Sequence, residues 1–134
     1  MRGCILGLCA RVAGHARSEV LNVAGRSDLA CLAEILAAAD VVVCGNTGPA
    51  HLAAAVGTPV VSLFSPVVPA VRWRPWKVPH ALLGAQDAPC ADTRARECPV
   101  PGHPCLDGVE PRDVLTAIEV LLAQTAAGGE ALVS

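Results

Sequence analysis

The chain has 134 residues and a mass of 13.6 kDa, a formal net charge of −2, and an apolar content of 53% carried mostly by Ala and Val. That is enough for one domain with a real core. Two Trp, one Phe and no Tyr exclude a base-stacking surface for single-stranded nucleic acid, and ten basic residues spread along the chain exclude an electrostatic footprint for a nucleic-acid backbone.

In chain order, Met1-Arg2 ahead of Cys4-Ile5-Leu6-Gly7-Leu8-Cys9-Ala10 faintly imitates a signal peptide. The apolar stretch sits at the short limit of the ~7–15 residues such a leader needs, and no small-x-small cleavage site follows it. A helix over Ile5 to Arg17, interrupted by Gly7 and Gly14, is the preferred reading. Val20-Leu21-Asn22-Val23-Ala24 is a short strand candidate closed by Gly25. From Asp28, the residues Leu29, Leu32, Ile35, Leu36 and Ala39 follow helical spacing with one apolar face. Asp40-Val41-Val42-Val43-Cys44 is a continuous apolar run without polar alternation, the pattern of a strand buried on both faces of a parallel sheet.

That strand leads into Gly45-Asn46-Thr47-Gly48-Pro49-Ala50-His51 and then an Ala-rich helix from Pro49 to Val56. Strand, tight glycine turn and helix is the arrangement that points free backbone N–H groups at an anion. Pro49 suits the first helical position, where its missing N–H costs nothing, and Gly48 caps the helix and lets a ligand approach the backbone. Thr47 and His51 supply side-chain donors beside that opening. The stretch reads as a phosphate-binding turn, with an ordinary βα turn as the plain alternative.

Gly57 fits the left-handed position after the helix end, and Pro59 to Phe64 is the next buried strand. A Pro- and Trp-containing loop runs from Ser65 to Pro79; Trp73 and Trp76 are expected to pack it onto the domain, since exposing both is costly. Arg72, Arg74 and Lys77 in that loop either reach a phosphate or are solvated. His80 to Leu83 is one more short strand. Residues 88–108 are irregular, and Pro111 starts a final helix with Val114, Leu115, Ile118, Leu121 and Leu122 as its apolar stripe. The domain is expected to span residues 1–124, with 125–134 a loose tail.

Alternating strands and helices predict an α/β fold with a Rossmann-like, doubly wound parallel sheet, whose ligands bind outside the carboxyl ends of the strands. Four of the seven cysteines, Cys4, Cys9, Cys31 and Cys44, lie in apolar segments, which reads as a reducing, cytoplasmic setting and not a disulfide framework. Cys90, Cys98, His103 and Cys105 form a chemically legitimate tetrahedral zinc set. No Cys-x-x-Cys knuckle occurs among them, however, so no metal is expected and the thiols read as unpaired or conditionally bridged. No apolar run reaches the ~20 residues of a membrane span, so no transmembrane segment is expected.

The stretches NVAGRSDLACLAEILAAADVVVCGNTGPAHLAAAVGTPVVSLFSP and CPVPGHPCLDGVEPRDVLTAIEVLL resemble the C-terminal half of glycosyltransferase family 9, the ADP-heptose:lipopolysaccharide heptosyltransferases. The resemblance covers Asn22 to Leu122 and implies the nucleotide-sugar domain of a two-domain GT-B enzyme, incomplete at its N-terminal side. By position it implies an ADP-sugar diphosphate held by Asn46, Thr47, Gly48, Pro49 and His51, with Ser65, Pro66, Arg72 and Arg74 as secondary contacts. It also implies no metal or other cofactor, a glycan or lipid-linked acceptor met through another domain that carries the Asp general base, and a location peripheral to the inner membrane. Catalytic residues proper are therefore expected outside this chain, which is expected to be inactive alone. Asn46 stands where the family usually has Asp, and Ser65-Pro66-Val67-Val68-Pro69 where it has Gly-Pro-Thr-Asp-Pro, so the identity of the sugar is left open. Two other functions fit the residues: a stand-alone nucleotide- or phosphate-binding module without catalysis, and a small interaction domain built around the Cys loop.

Overall fold

The computed structural model describes residues 2–130 and divides the chain into two compact units, residues 1–34 and residues 35–134. The first unit holds helix α1 (Arg2–His15) and an irregular segment leading to helix α2 (Leu29–Ala37), which continues into the second unit. Asp28 caps α2, its Oδ1 accepting the Cys31 N–H at 2.8 Å. The strand expected at Val20–Ala24 does not form. Those residues have strand composition, but among the described residues no second strand lies alongside to take their backbone bonds, and Leu21 is 82% exposed. A local turn forms instead, with the Ala24 N–H donating to Asn22 Oδ1 at 3.1 Å and the Arg26 N–H to the Val23 carbonyl at 3.1 Å.

The second unit is built on a three-stranded parallel sheet in the order β1 (Val42–Gly45), β2 (Val60–Leu63), β3 (His80–Leu83). Val42 faces Val60, and Val60 faces His80, so the carboxyl ends of all three strands come to one edge. The expected α/β class and the parallel sheet are therefore present. Helix α3 (Gly48–Ala55) crosses from β1 to β2 and packs on both, and helix α5 (Pro111–Glu130) packs on β2 and β3. Val61 points to α5 and joins Ala117 and Leu121, with Val114, Ile118, Ala81 and Leu83 around them. Val60, Ser62 and Phe64 alternate to the other face and are fully buried, so β2 is covered on both sides. Fully burying each such Val or Phe contributes about 1.5–3 kcal/mol. The Ser62 hydroxyl is buried with no partner.

The expected stripe on α5 is narrower than its sequence pattern. Leu115 is 61% exposed and Leu122 is 40% exposed, while Ala117 takes a buried place. A thin sheet of three strands covers only the central ridge of the helix. α5 itself continues through Thr125 to Glu130, where the sequence reading starts a loose tail; residues 131–134 lie outside the described residues.

α3 ends in a Schellman motif. The Thr58 N–H reaches the Ala53 carbonyl at 3.0 Å and the Gly57 N–H reaches the Ala54 carbonyl at 3.2 Å, with Gly57 at φ 87° as its sequence position predicts. Thr58 Oγ1 then donates to the Leu36 carbonyl at 2.7 Å, tying the end of α2 to the strand that follows. Among the described residues, no helix is long and apolar enough to cross a membrane.

Candidate functional site

The turn between β1 and α3 lies at the carboxyl edge of the sheet, as a strand-to-helix connection must in this topology. Thr47 is the N-cap of α3, with φ −133° and ψ −178°, and Gly48 and Pro49 are the first two helical residues. The helix thus begins one residue before Pro49, and the cap is Thr47, not Gly48. The reason is local: the Thr47 carbonyl already accepts the Ala50 N–H at 3.0 Å. Thr47 makes no side-chain cap bond, and its Oγ1 lies 3.5 Å from the Gly45 carbonyl, leaving the hydroxyl available at the mouth of the turn. A Cβ placed on Gly48 meets nothing within 4 Å, so this glycine keeps open space in front of the helix N-terminus.

Asn46 does something the sequence did not indicate. Its Nδ2 donates to the Ser65 carbonyl at 3.2 Å, and its Oδ1 receives the Ser65 N–H at 3.4 Å. One amide side chain thereby joins the ends of β1 and β2. A carboxylate at this position can accept from the Ser65 N–H but has nothing to give the carbonyl.

After Ser65 the chain turns through a short helix, α4 (Ala70–Trp73), inside what reads from sequence as an unbroken loop. Pro69 caps it and the Arg72, Trp73 and Arg74 N–H groups close it. This helix carries Arg72 and Trp73 towards α3, where the Trp73 and His51 rings lie 6.2 Å apart and tilted by 60°. Of the two Trp, Trp73 packs only partly against the domain, beside His51, and Trp76 does not. Trp73 is 48% exposed and Trp76 is 70% exposed, and the buried anchor of the loop is Pro75. Lys77 Nζ covers one side of the Trp76 ring, 5.8 Å from its centroid.

Together these elements enclose an open cleft of about 590 Å³ lined by His51, Val67, Val68, Arg72, Trp73, Arg94 and Ala95. Of the residues singled out in the sequence, the structure brings His51 and Arg72 into this cleft. Asn46, Thr47, Gly48 and Pro49 form the adjoining turn, Ser65 and Pro66 form the segment behind it, and Arg74 lies outside the lining. Arg94 is the residue that sequence reasoning missed. It arrives because the Asp92 N–H donates to the Pro66 carbonyl at 2.9 Å and the Arg94 N–H to the Val67 carbonyl at 2.8 Å. Such backbone pairing leaves no pattern in the side chains.

The Cys loop lies against the same segment. Cys90 and Cys105 are buried with Ala88, with Val67, Val100 and Leu106 packed around them. Burial, followed by the neighbouring Cys105 side chain, holds the Cys90 thiol above its ordinary titration range, and burial does the same to Cys44. Cys105 Sγ lies 3.8 Å from Ser65 Oγ. Cys98 is exposed and its thiol donates to the Val100 carbonyl at 3.1 Å, while His103 is exposed in a left-handed backbone conformation at φ 48°. Among the described residues, no three His, Cys, Asp or Glu side chains are arranged to hold a metal ion.

An anion fits this geometry: an open helix N-terminus and two guanidiniums face solvent beside an aromatic surface, and no carboxylate lines the cleft. Residues 8–103 match the family described as Glycosyltransferase family 9 (heptosyltransferase). Lipooligosaccharide heptosyltransferase 2 of Campylobacter jejuni subsp. jejuni serotype O:2 is 26% identical over 104 residues, covering 78% of this chain and 32% of that protein. Lipopolysaccharide heptosyltransferase 3 of Escherichia coli is 30% identical over 112 residues, covering 81% of this chain and 31% of that protein. The chain therefore spans about a third of the length of the curated relatives it matches. In fold, it is similar to the crystal structure of a family 9 glycosyl transferase from Veillonella parvula DSM 2008, with a TM-score of 0.73 over 90% of this chain and 34% of that one at 18% identity.

Proposed function

The chain belongs to glycosyltransferase family 9, and from that premise we propose that it forms the donor-binding part of an enzyme that transfers a heptose, or a related sugar, from an ADP-sugar to a lipopolysaccharide-type or other cell-envelope glycan. The observation that carries this reading is the turn at Thr47-Gly48: an extended N-cap without a side-chain cap bond, open space at Gly48, and a cleft with His51 and Arg72 alongside.

In this reading the diphosphate lies against the N-terminus of α3. The acceptor hydroxyl attacks the anomeric carbon from the far side, the bond from that carbon to the phosphate oxygen breaks, and its electron pair stays on the departing ADP. Negative charge thus grows at the diphosphate as the bond breaks. The helix N-terminus is set by the backbone before this happens, and Arg72 stands beside it as a positive charge, which is what makes them useful to the transition state. The His51 ring stands one turn into the helix, within reach of the phosphates or the sugar. The hydroxyl proton needs a base, and the cleft offers no carboxylate for it. We assign the base to a part of the complete enzyme that faces this cleft, and the isolated chain to binding without turnover. The reaction belongs to the cytoplasmic side of the inner membrane, where sugar nucleotides are available to a peripheral enzyme.

Calorimetric titration with ADP and with the ADP-sugar tests the reading. Binding of both is expected, lost in Gly48→Val with the fold intact, because the added side chain fills the anion's space and its Cβ meets nothing within 4 Å. Affinity that is unchanged in Gly48→Val sinks the site, and acceptor-dependent ADP release by the chain alone sinks the division of labour.

A further inference from the structure

The cleft holds two guanidiniums, Arg72 from α4 and Arg94 from the long loop, and its lining includes no carboxylate to neutralise them. Among the described residues the recorded ion pair is Arg112 with Glu110, at the start of α5. Two like charges facing one opening repel each other, and an anion placed between them relieves that repulsion.

Arg94 carries a second, independent mark. Its φ is 53° and that of Asp92 is 58°, both in the left-handed region that crowds any residue with a Cβ. The backbone bonds to Val67 and Pro66 hold both residues there. Glycine adopts this conformation without strain; among the described residues four non-glycine residues hold it, Lys77, Asp92, Arg94 and His103, and of these Arg94 lines the cleft.

The geometry points to Arg94 as an anion-binding residue of the donor site, acting with Arg72 on the diphosphate of a sugar nucleotide. This assignment rests on the cleft being the donor site. Guanidinium suits the task because its planar fork gives two parallel hydrogen bonds to phosphate oxygens, which the Lys ammonium does not. A diphosphate also explains why the two cations come from separate elements, since one phosphate group is too small to engage both forks fully along with a helix N-terminus.

The test is calorimetric titration of the full chain with inorganic pyrophosphate, ADP and adenosine, for the unaltered protein and for Arg94→Gln, Arg94→Lys and Arg94→Gly. Affinity for pyrophosphate and ADP is expected to fall about tenfold in Arg94→Gln and to recover partly in Arg94→Lys, with adenosine unaffected. Arg94→Gly is expected to bind as weakly as Arg94→Gln yet to melt no lower than the unaltered chain, because the backbone strain is gone. A residue with a merely structural role does not lose binding while keeping stability. Should Arg94→Gln and Arg94→Gly take up pyrophosphate as well as the unaltered chain while Gly48→Val does not, the assignment of Arg94 is overturned and the donor-site reading stands. Should the unaltered chain bind neither pyrophosphate nor ADP, both are overturned.

Discussion

Asn46 and Ser65 face each other across the carboxyl ends of β1 and β2 and are joined by two hydrogen bonds through one side-chain amide, at 3.2 and 3.4 Å. The bond pattern is the one a backbone makes, supplied by a side chain where the ladder between the strands has ended. It fixes the spacing between the turn that opens α3 and the segment that leads to Arg72.

Removing this link gives the first prediction. Asn46→Ala is expected to cost about 1–2 kcal/mol in urea unfolding, since two part-buried backbone groups of Ser65 lose their partner. Asn46→Asp is expected to fall between the two, because it keeps only the acceptor. Equal midpoints for all three proteins would show that the link carries no load.

Among the glycines compared at described positions, Gly84 is the least tolerant of a side chain. Its φ is 130°, and a Cβ there lies 2.8 Å from both the Cys105 and the Phe64 carbonyl oxygens. Neither oxygen is free to move, because the Ala85 N–H binds one and Gln86 Nε2 the other. Gly84→Ala is expected to destabilise by roughly 3 kcal/mol, read as a shifted denaturation midpoint. Gly48→Ala, with open space at the same test, is expected to stay within about 0.5 kcal/mol of the parent.

Thr58 is buried, and its hydroxyl bonds the Leu36 carbonyl at 2.7 Å. Thr58→Val preserves shape and removes the donor, leaving that carbonyl only its longer bond from the Ala39 N–H at 3.3 Å. A loss of about 1–2 kcal/mol is expected. Thr58→Ser, which keeps the hydroxyl, is expected to lose less of this bond, and thermal melts of the three proteins check the order.

Stability at high pH follows from the thiols. Burial raises Cys90 and Cys44 above the ordinary value of 9.0, so the folded state holds these protons more tightly than the unfolded chain does. The stabilisation is complete below pH 9 and is lost as pH rises through the folded-state values. Urea midpoints are expected to be flat from neutrality to about pH 8 and to decline above 9, less steeply in Cys90→Ala. A decline of equal slope in that variant assigns the effect to other groups.

Much of the second unit was legible in the sequence because its elements announce themselves locally. Val41-Val42-Val43 and Val60-Val61 carry no polar alternation, and Gly57 marks the Schellman end of α3. What stayed hidden depends on partners distant in the chain. Val20–Ala24 has the composition of a strand, but pairing is a property of two segments, and among the described residues none pairs with it. Trp73 and Trp76 read from sequence as packing the loop onto the domain, yet Pro75 between them fills the buried place, leaving Trp76 exposed and Trp73 half-exposed at the cleft. The site divides the same way. The turn from Asn46 to His51 was readable as strand, glycine and helix, whereas Arg94 joins it through backbone bonds that any residue can make. Asn46 reads by its chemistry as a ligand contact, and the structure adds that each end of its amide also bonds Ser65.

α3 lies on β1 and β2 through Ala50 and Ala53, which are 1% and 0% exposed. Methyl groups are the smallest side chains that a packed interface allows, so the helix rides at its closest approach to the sheet. Alanine here acts as a shim. The height of the helix above the strands, and with it the position of the Gly48 N–H at its start, is set by the thickness of two methyl groups. Replacing either with a larger side chain costs about 1–3 kcal/mol in overpacking and tips the mouth of the turn away from the cleft. The heavy use of alanine that first looks like a plain, feature-poor composition is thus the gauge that sets how close α3 lies to the sheet.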